Sequence, residues 1–301
     1  MPFTKFTNLD FDQIRSQIKD YIRANSTFTD FDFEGSNFSI LIDTLAYNTY
    51  ITAYNSNMIV NESFLDSATL RENVVSLARN IGYVPRSRSA AKARINLAVQ
   101  TTSTSPTMTL EAGLVCVGSV NDSQFVFSVP EDVTTTINSG TAKFDDLEIC
   151  QGTYLKKQFV VDGSLDQRFI LQNAFIDTST IVVKVKGTSD SGEGREYELA
   201  QNILNLNKNS EIYLLQEVQD ERYELLFGDG FFGKKLENGA IITVSYITTD
   251  GIDGNGAKNF AYSGRVTNNL GNVIVPSGDV TISTTSKAQN GGEIESIDSI
   301  K

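Results

Sequence analysis

The sequence predicts an α+β protein, an N-terminal helical segment of about three helices followed by predominantly antiparallel β modules. Three observations predict it. Up to about residue 84 the apolar side chains recur at helical spacing, and beyond it they alternate or gather in short runs between Gly, Asn, Asp and Ser. No helical pattern long enough for a crossover interrupts the second part, which favours antiparallel sandwich or barrel modules. The predicted division is residues 1–90 helical, 91–190 a first β-rich domain, 191–290 a second one, and 291–301 the start of a further segment.

In the first helix Phe11, Ile14, Ile18 and Tyr21 are spaced by three, four and three, a coiled-coil-like seam, and Asp10 with Gln13 can cap its start. The segment STFTDFDFEGSN then interleaves Phe28, Phe31 and Phe33 with acids before Gly35 breaks it. Either its aromatics tuck under neighbouring helices or it is an extended arm laid on a partner. A second helix, from about Asn37 to Met58, carries Phe38, Leu41, Ile42 and Leu45 and then Tyr47, Ile51, Tyr54 and Met58. This stripe is broad and drifts around the helix, which suits burial by more than one neighbour. A third helix, from roughly Asp66 to Asn80, has Leu70, Val74, Leu77 and Ile81 as its seam, Gly82 at its C-terminal cap and Pro85 as its stop. These helices could form a self-contained bundle, but the seams favour a partner-facing role. Burying one Leu or Ile contributes ~1.5–3 kcal/mol, so half a dozen seam residues could hold two chains together.

The β part opens with Ile95, Leu97 and Val99 alternating with polar or small neighbours, and QFVFSV, KKQFVV, QRFIL, STIVVKVKG, RYELLF and AIITVSYI are further strand candidates. VDGS and ENGA read as turns between them, and YELAQNILNLNKN as a brief helix.

Composition closes several doors. The chain of 301 residues contains no histidine, which removes Ser-His-Asp and Cys-His catalysis, His-ligated zinc and a histidine pH switch. Its length suits two domains or one elongated chain of several modules. Cys116 and Cys150 cannot make a four-thiolate site or a disulfide scaffold, and read as partly buried thiols in a reducing compartment. A net charge of −12 argues against nucleic acid. No apolar run approaches a membrane span, and Lys5, Asp10, Asp12, Arg15 and Lys19 interrupt any signal-peptide core.

The charge is uneven. Arg79, Arg86, Arg88, Lys92 and Arg94 form a basic stretch with no acid between them, whereas Thr101 to Leu155 holds seven acids against Lys143 alone, half of the net charge. The basic stretch is a candidate for electrostatic docking onto an acidic face of this chain or of a neighbouring subunit. Both could equally be solvated surface, where ion pairs contribute little.

Gly228, Gly230 and Gly233 in FGDGFFGKK match G-x-G-x-x-G, but the next element reads as a strand, so no helix N-terminus is available for a pyrophosphate. These glycines, with Asp229, read as a tight structural hairpin. DGIDGNG has calcium-type oxygens, but Ile252 takes a ligand position and no Glu closes the loop, so a turn cluster is the better account. The pair Asp145 and Asp146 carries no catalytic mark. No cofactor, metal or catalytic residue is predicted, and the chain is not expected to be an enzyme.

The strings DFDFEGSNFSILIDTLAYNTY and NESFLDSATLRENVVSLARNIGYVPRS resemble the N-terminal helical region of the large baseplate wedge protein of contractile-tailed bacteriophages, in the baseplate J-like family. DGSLDQRFIL, IDTSTIVVKV and RYELLFGDGFFGKKLENGAIITVSYITTDGIDGNGAKNF resemble that family's β-rich body, while Thr101 to Gln151 carries little of it. The resemblance implies a non-enzymatic virion protein of the tail baseplate, assembled in the host cytoplasm. Its helices would form a core bundle with a second copy of itself and other baseplate wedge proteins, with the sheath-initiator protein as a further partner, in a ring that rearranges on contraction. It makes Phe11, Ile14, Ile18, Phe38, Leu41, Leu45, Ile51, Tyr54, Leu70, Val74 and Leu77 the partner interface. Gly228, Asp229, Gly230 and Gly233 would be fold-defining. Family members continue past GGEIESIDSIK, so the chain is expected to be the N-terminal portion of a longer protein, with Ile294, Ile297 and Ile300 beginning a helical repeat. A different class, a non-catalytic β-rich module for tail-fibre attachment or host glycans, would also suit the Thr- and Asn-rich turns.

Overall fold

The change of period near residue 90 is a change of fold. The computed structural model describes residues 10–25, 36–164, 166–192, 194–200 and 206–301. They divide into a helical unit, the described residues up to Tyr83 together with Ile297–Lys301, and a β unit, Val84–Ser296. Together they make an α+β protein with its long helices at the N-terminus.

The helical unit contains α1 (Phe11–Asn25), α2 (Asn37–Glu62) and α3 (Arg71–Asn80). Asp10 caps α1 as its residue type predicts, its Oδ1 accepting from the Gln13 amide at 2.9 Å. Ser36 does the same for α2, accepting from the Ser39 amide at 3.0 Å. α1 packs against α2, where the Arg15 Nε to Asp43 Oδ1 ion pair closes to 2.6 Å. The segment with Phe28, Phe31 and Phe33 lies outside the described residues.

The third helix is shorter than its apolar spacing predicts. It begins at Arg71, because Leu70 is extended (φ −81°, ψ 124°) and the preceding amides turn to Glu62. The Glu62 carboxylate accepts from the Thr69 amide (2.8 Å), Thr69 Oγ1 (2.6 Å), Asn73 Nδ2 (2.8 Å) and the Leu70 amide (3.3 Å). Burial pushes that carboxyl up, but the bonds from Thr69, Asn73 and Leu70 outweigh it and hold it at about 2. The end of α3 follows the sequence. Gly82 N–H reaches the Arg79 carbonyl (2.9 Å) and Tyr83 N–H the Ala78 carbonyl (3.0 Å), the two bonds of a Schellman cap. Ile297 and Ile300 lie in α4 (Ile297–Ile300), which packs against Val74, Val75, Ala78 and Ala68, while Ile294 is not helical.

The β unit runs β1 (Lys92–Gln100), β2 (Thr107–Leu110), β3 (Gly113–Val120), β4 (Ser123–Val129), β5 (Val133–Asn138), β6 (Thr141–Gln151), β7 (Thr153–Val160) and β8 (Phe169–Leu171). It continues with β9 (Ile176–Lys186), β10 (Arg195–Leu199), β11 (Ile212–Val218), β12 (Arg222–Phe227), β13 (Ile241–Thr248), β14 (Phe260–Tyr262), β15 (Val266–Asn268) and β16 (Thr281–Gln289). One sheet takes β1–β6 with β14–β16, and the other is ordered β7-β13-β9-β10-β11-β12-β8. The second sheet is therefore inserted in sequence between β6 and β14, and a division at residue 190 falls inside it, between β9 and β10. Pairing is antiparallel throughout except between β10 and β11. Each sheet covers its own apolar core. In β1 the alternation works as read: Ala93, Ile95, Leu97 and Val99 are all buried, and the strand pairs with β16 from Lys92↔Gln289 and with β6 from Lys92↔Cys150, each ladder shifting register along its length.

The chain crosses between sheets at Gly152. With φ +136°, a side chain there is strained, and a Cβ would stand 2.2 Å from the Thr248 carbonyl oxygen. Beside it Gln151 is buried and bonded to Thr249 Oγ1 (2.6 Å), the Asp250 amide (3.1 Å) and Asp250 Oδ2 (2.8 Å). The expected brief helix in YELAQNILNLNKN is not seen: Tyr197 to Leu199 belong to β10 and residues 206–209 are non-helical, with 201–205 outside the described residues. The local helical pattern loses to pairing with β9.

Candidate helical interface

The helices present more apolar surface than they bury among themselves. On α2 the buried strip is Ser39, Ile42, Ala46, Asn57 and Asn61, of which only Ile42 and Ala46 are apolar. Phe38, Ile40, Leu41, Leu45, Tyr47, Tyr54, Met58 and Ile59 are all between 37% and 67% exposed. At about 100° per residue these fall into two stripes flanking the buried strip. Phe38, Leu41, Leu45 and Ile59 make one; Ile40, Tyr47, Tyr54, Met58 and the half-buried Ile51 make the other. The single drifting stripe read from sequence is thus two separate faces, with Ile42 on the buried strip between them.

The remaining seam residues divide. Leu70 and Tyr21 are exposed, while Phe11, Ile18 and Leu77 are partly covered. Ile14 and Val74 are buried within the chain, Val74 completely, so neither is surface. Val74 is covered by Ile300 and its α3 neighbours, a contact from the far end of the sequence that spacing cannot reveal. Ile40 and Ile59 fall outside the seam the sequence predicts, although Ile40 lies seven residues before Tyr47 and Ile59 fourteen after Leu45, so heptad counting finds both.

Much of the basic stretch is satisfied inside this chain. Arg94 pairs with Asp146 and with Glu148 (3.3 Å), Lys92 with Glu148 (3.2 Å), and Arg88 with Glu293 (2.9 Å). Asp146 and Glu148 belong to the acid-rich region, so for Lys92 and Arg94 the complementary face lies on the neighbouring strand β6. Arg79 donates to Ser76 Oγ (3.4 Å) at the end of α3. The Arg86 side chain is exposed, and its backbone amide donates to Glu295 Oε2 at 2.9 Å.

The glycine motif is a compact loop rather than a hairpin. It joins β12 to β13, which do not pair; three strands stand between them in the sheet. Asp229 Oδ1 accepts from the Phe231 (2.8 Å) and Phe232 (2.9 Å) amides, and these two bonds hold its carboxyl below the ordinary range. A Cβ on Gly228 would meet the Gly233 carbonyl carbon at 2.2 Å, and Gly230 and Gly233 both have positive φ. The loop folds onto itself and leaves no room for a phosphate between its glycines. Its tip exposes Phe231 and Phe232, which sequence reading passed over.

The described residues offer little chemistry. Burial pushes the Cys116 thiol up to about 12 and Cys150 to about 11, so both stay protonated at neutral pH. Among the described residues no group of three or more His, Cys, Asp or Glu is placed to hold a metal ion, and no helix is long and apolar enough to cross a membrane. DGIDGNG forms a 3-10 turn, Gly251–Gly254.

Residues 10–83 match the family model of the helical domain of gp6-like baseplate wedge proteins. The matched span ends at Tyr83, where the helical unit gives way to the β unit. The similarity extends beyond the helices: the chain is 28% identical over 281 residues to baseplate wedge protein gp6 of Enterobacteria phage T4, covering 87% of this chain. It spans 42% of that relative's length. A chain in the cryo-EM structure of the anti-feeding prophage baseplate, six-fold symmetrised, aligns with all of this chain and 54% of its own length at 10% identity. Its TM-score of 0.26 is too low to bear on the fold.

Proposed function

We propose that this chain is a structural component of a phage tail baseplate wedge, located in the virion tail and without enzymatic activity. Its α2 stripes are the contact surface for helices of a second copy and of other baseplate wedge proteins. The single observation that supports this most is the coincidence of the helical-domain match, residues 10–83, with the part of the chain that leaves large apolar side chains uncovered. Within the wedge proteins we place it with the baseplate J-like family, on the strings of its β body, and the sheath-initiator protein is the further partner to test. On this reading residues 1–90 hold the partner-binding region and the β-rich parts act as rigid spacers. The interface residues are Phe11, Ile18, Phe38, Leu41, Leu45, Ile51, Tyr54, Leu70 and Leu77, with Ile40 and Ile59 added and the buried Ile14 and Val74 acting from beneath. The glycine loop is fold-defining.

Leu45→Asp tests it. Leu45 is half exposed, so the variant folds, yet in a covered seam the new carboxylate is left unpaired at a cost of several kcal/mol. The expected result in sedimentation with co-expressed wedge proteins is loss of the complex with an unchanged β-sheet circular dichroism signal. Retention of the complex overturns the reading.

A further inference from the structure

The chain passes between its two units twice, after Tyr83 and before Ile297. The outgoing residues 84–89 and the returning residues 291–296 lie side by side in the β unit. Ser89 and Gly292 exchange two backbone hydrogen bonds of 3.0 Å, and the Glu295 amide donates to the Arg86 carbonyl at 3.1 Å. Glu295 Oε2 accepts from the Arg86 amide at 2.9 Å, closing the pair from the other side. Arg88 bonds Glu293 across the pair and lies 4.5 Å from the centre of the Phe175 ring.

The DGIDGNG turn is the seat of this ribbon. A Cβ on Gly251 would stand 3.0 Å from the Gly292 carbonyl oxygen and 3.2 Å from Arg88 Cγ, and one on Gly291 only 2.3 Å from the Gly251 carbonyl oxygen. Asn255 exchanges bonds of 2.9 Å with both backbone groups of Gly291. The ribbon continues directly into the β1–β16 pair, yet the two parts are held differently. Ala93, Ile95, Leu97 and Val99 of β1 are core residues, whereas residues 84–89 and 291–296 contribute none to any apolar cluster. Of their side chains Pro85, Ser87 and Glu295 are buried, so the ribbon is held mainly by hydrogen bonds with little buried apolar area, and segments of that kind open first.

We propose that residues 84–89 and 291–296 form a releasable two-stranded latch. Zipped, both segments belong to the β unit; unzipped, each is freed as chain of roughly 20 Å at the extended rise per residue. The cross-strand bonds belong to both connectors, so their loss frees both; the outgoing one must also give up the Ser87 bonds to the Thr178 hydroxyl (2.8 Å) and amide (3.1 Å). This device does not depend on which partner covers α2, and it is tested on the isolated full chain.

Hydrogen exchange read by mass spectrometry is the test. The expected result is that peptides covering 84–89 and 291–296 exchange at matching rates, at least about tenfold faster than those of β1 and β16. Glu295→Ala speeds the outgoing segment as well as its own, and Ser89→Cys with Gly292→Cys, once oxidised, slows both until reduced. The buried Cys116 and Cys150 leave that pairing selective. Protection equal to that of β1, acceleration by Glu295→Ala of its own segment alone, or exchange unchanged by the disulfide would each overturn the latch.

Discussion

α2 and β1 are both long apolar-rich elements, and they treat their side chains in opposite ways. β1 buries every second residue against its sheet's core, while α2 buries only Ile42 and Ala46 among its large and small apolar residues and exposes eight larger ones. The contrast is one of these two elements and not of whole units, since the β unit also exposes large apolar side chains at its loops, Phe231 and Phe232 among them. For β1 the apolar pattern is a folding instruction; for α2 most of it is not used for burial within the chain, which is why we propose it as a contact surface.

The contrast breaks most visibly in the core. Leu97→Ala removes a fully buried side chain and lowers unfolding free energy by about 2–5 kcal/mol in urea titrations. Next comes the crossing between sheets: Gly152→Ala forces a positive φ and a backbone clash, and costs about 1–3 kcal/mol in the same measurement. Glu62 gives a smaller effect, confined to the helices. Its folded pKa of about 2 lies below the ordinary 4.5, so its contribution is complete above pH 4.5 and is lost as pH falls toward 2. Glu62→Gln lowers the helical unit's stability at pH 7 by about 1 kcal/mol and flattens its acid dependence, read by thermal melts at pH 7 and pH 3. The smallest change is Leu41→Ala in the isolated chain, within about 0.5 kcal/mol of the parent because its side chain is already in water.

How much was legible from sequence follows the same divide. β1, β4, β9, β12 and β13 carry β-branched or aromatic residues in short runs and can be read directly. β2, β5 and β16 (TMTL, VTTTIN, TISTTSKAQ) are threonine-rich and offer little apolar alternation to count. Their pairing is also remote: β16 meets β1 across most of the β unit, so neither the nesting of one sheet within the other nor the separation of β12 from β13 has a local signal. On the helices, spacing names the apolar residues but not what covers them. Val74 looks like Leu41 in sequence, and only α4 distinguishes them. The start of α3 misleads for a related reason, since one carboxylate eleven residues before Asn73 collects the bonds that a longer helix would use.

The central claim is that the α2 stripes are covered in the assembled baseplate and open in the free chain. Hydroxyl-radical footprinting of the free chain and of purified baseplates tests it most directly, residue by residue. The expected result is strong protection of Leu41, Leu45, Tyr47, Tyr54 and Met58 on assembly, with Leu97 and Val99 of β1 equally protected in both. Oxidation of the α2 residues at the same rate in the assembled baseplate as in the free chain would contradict it.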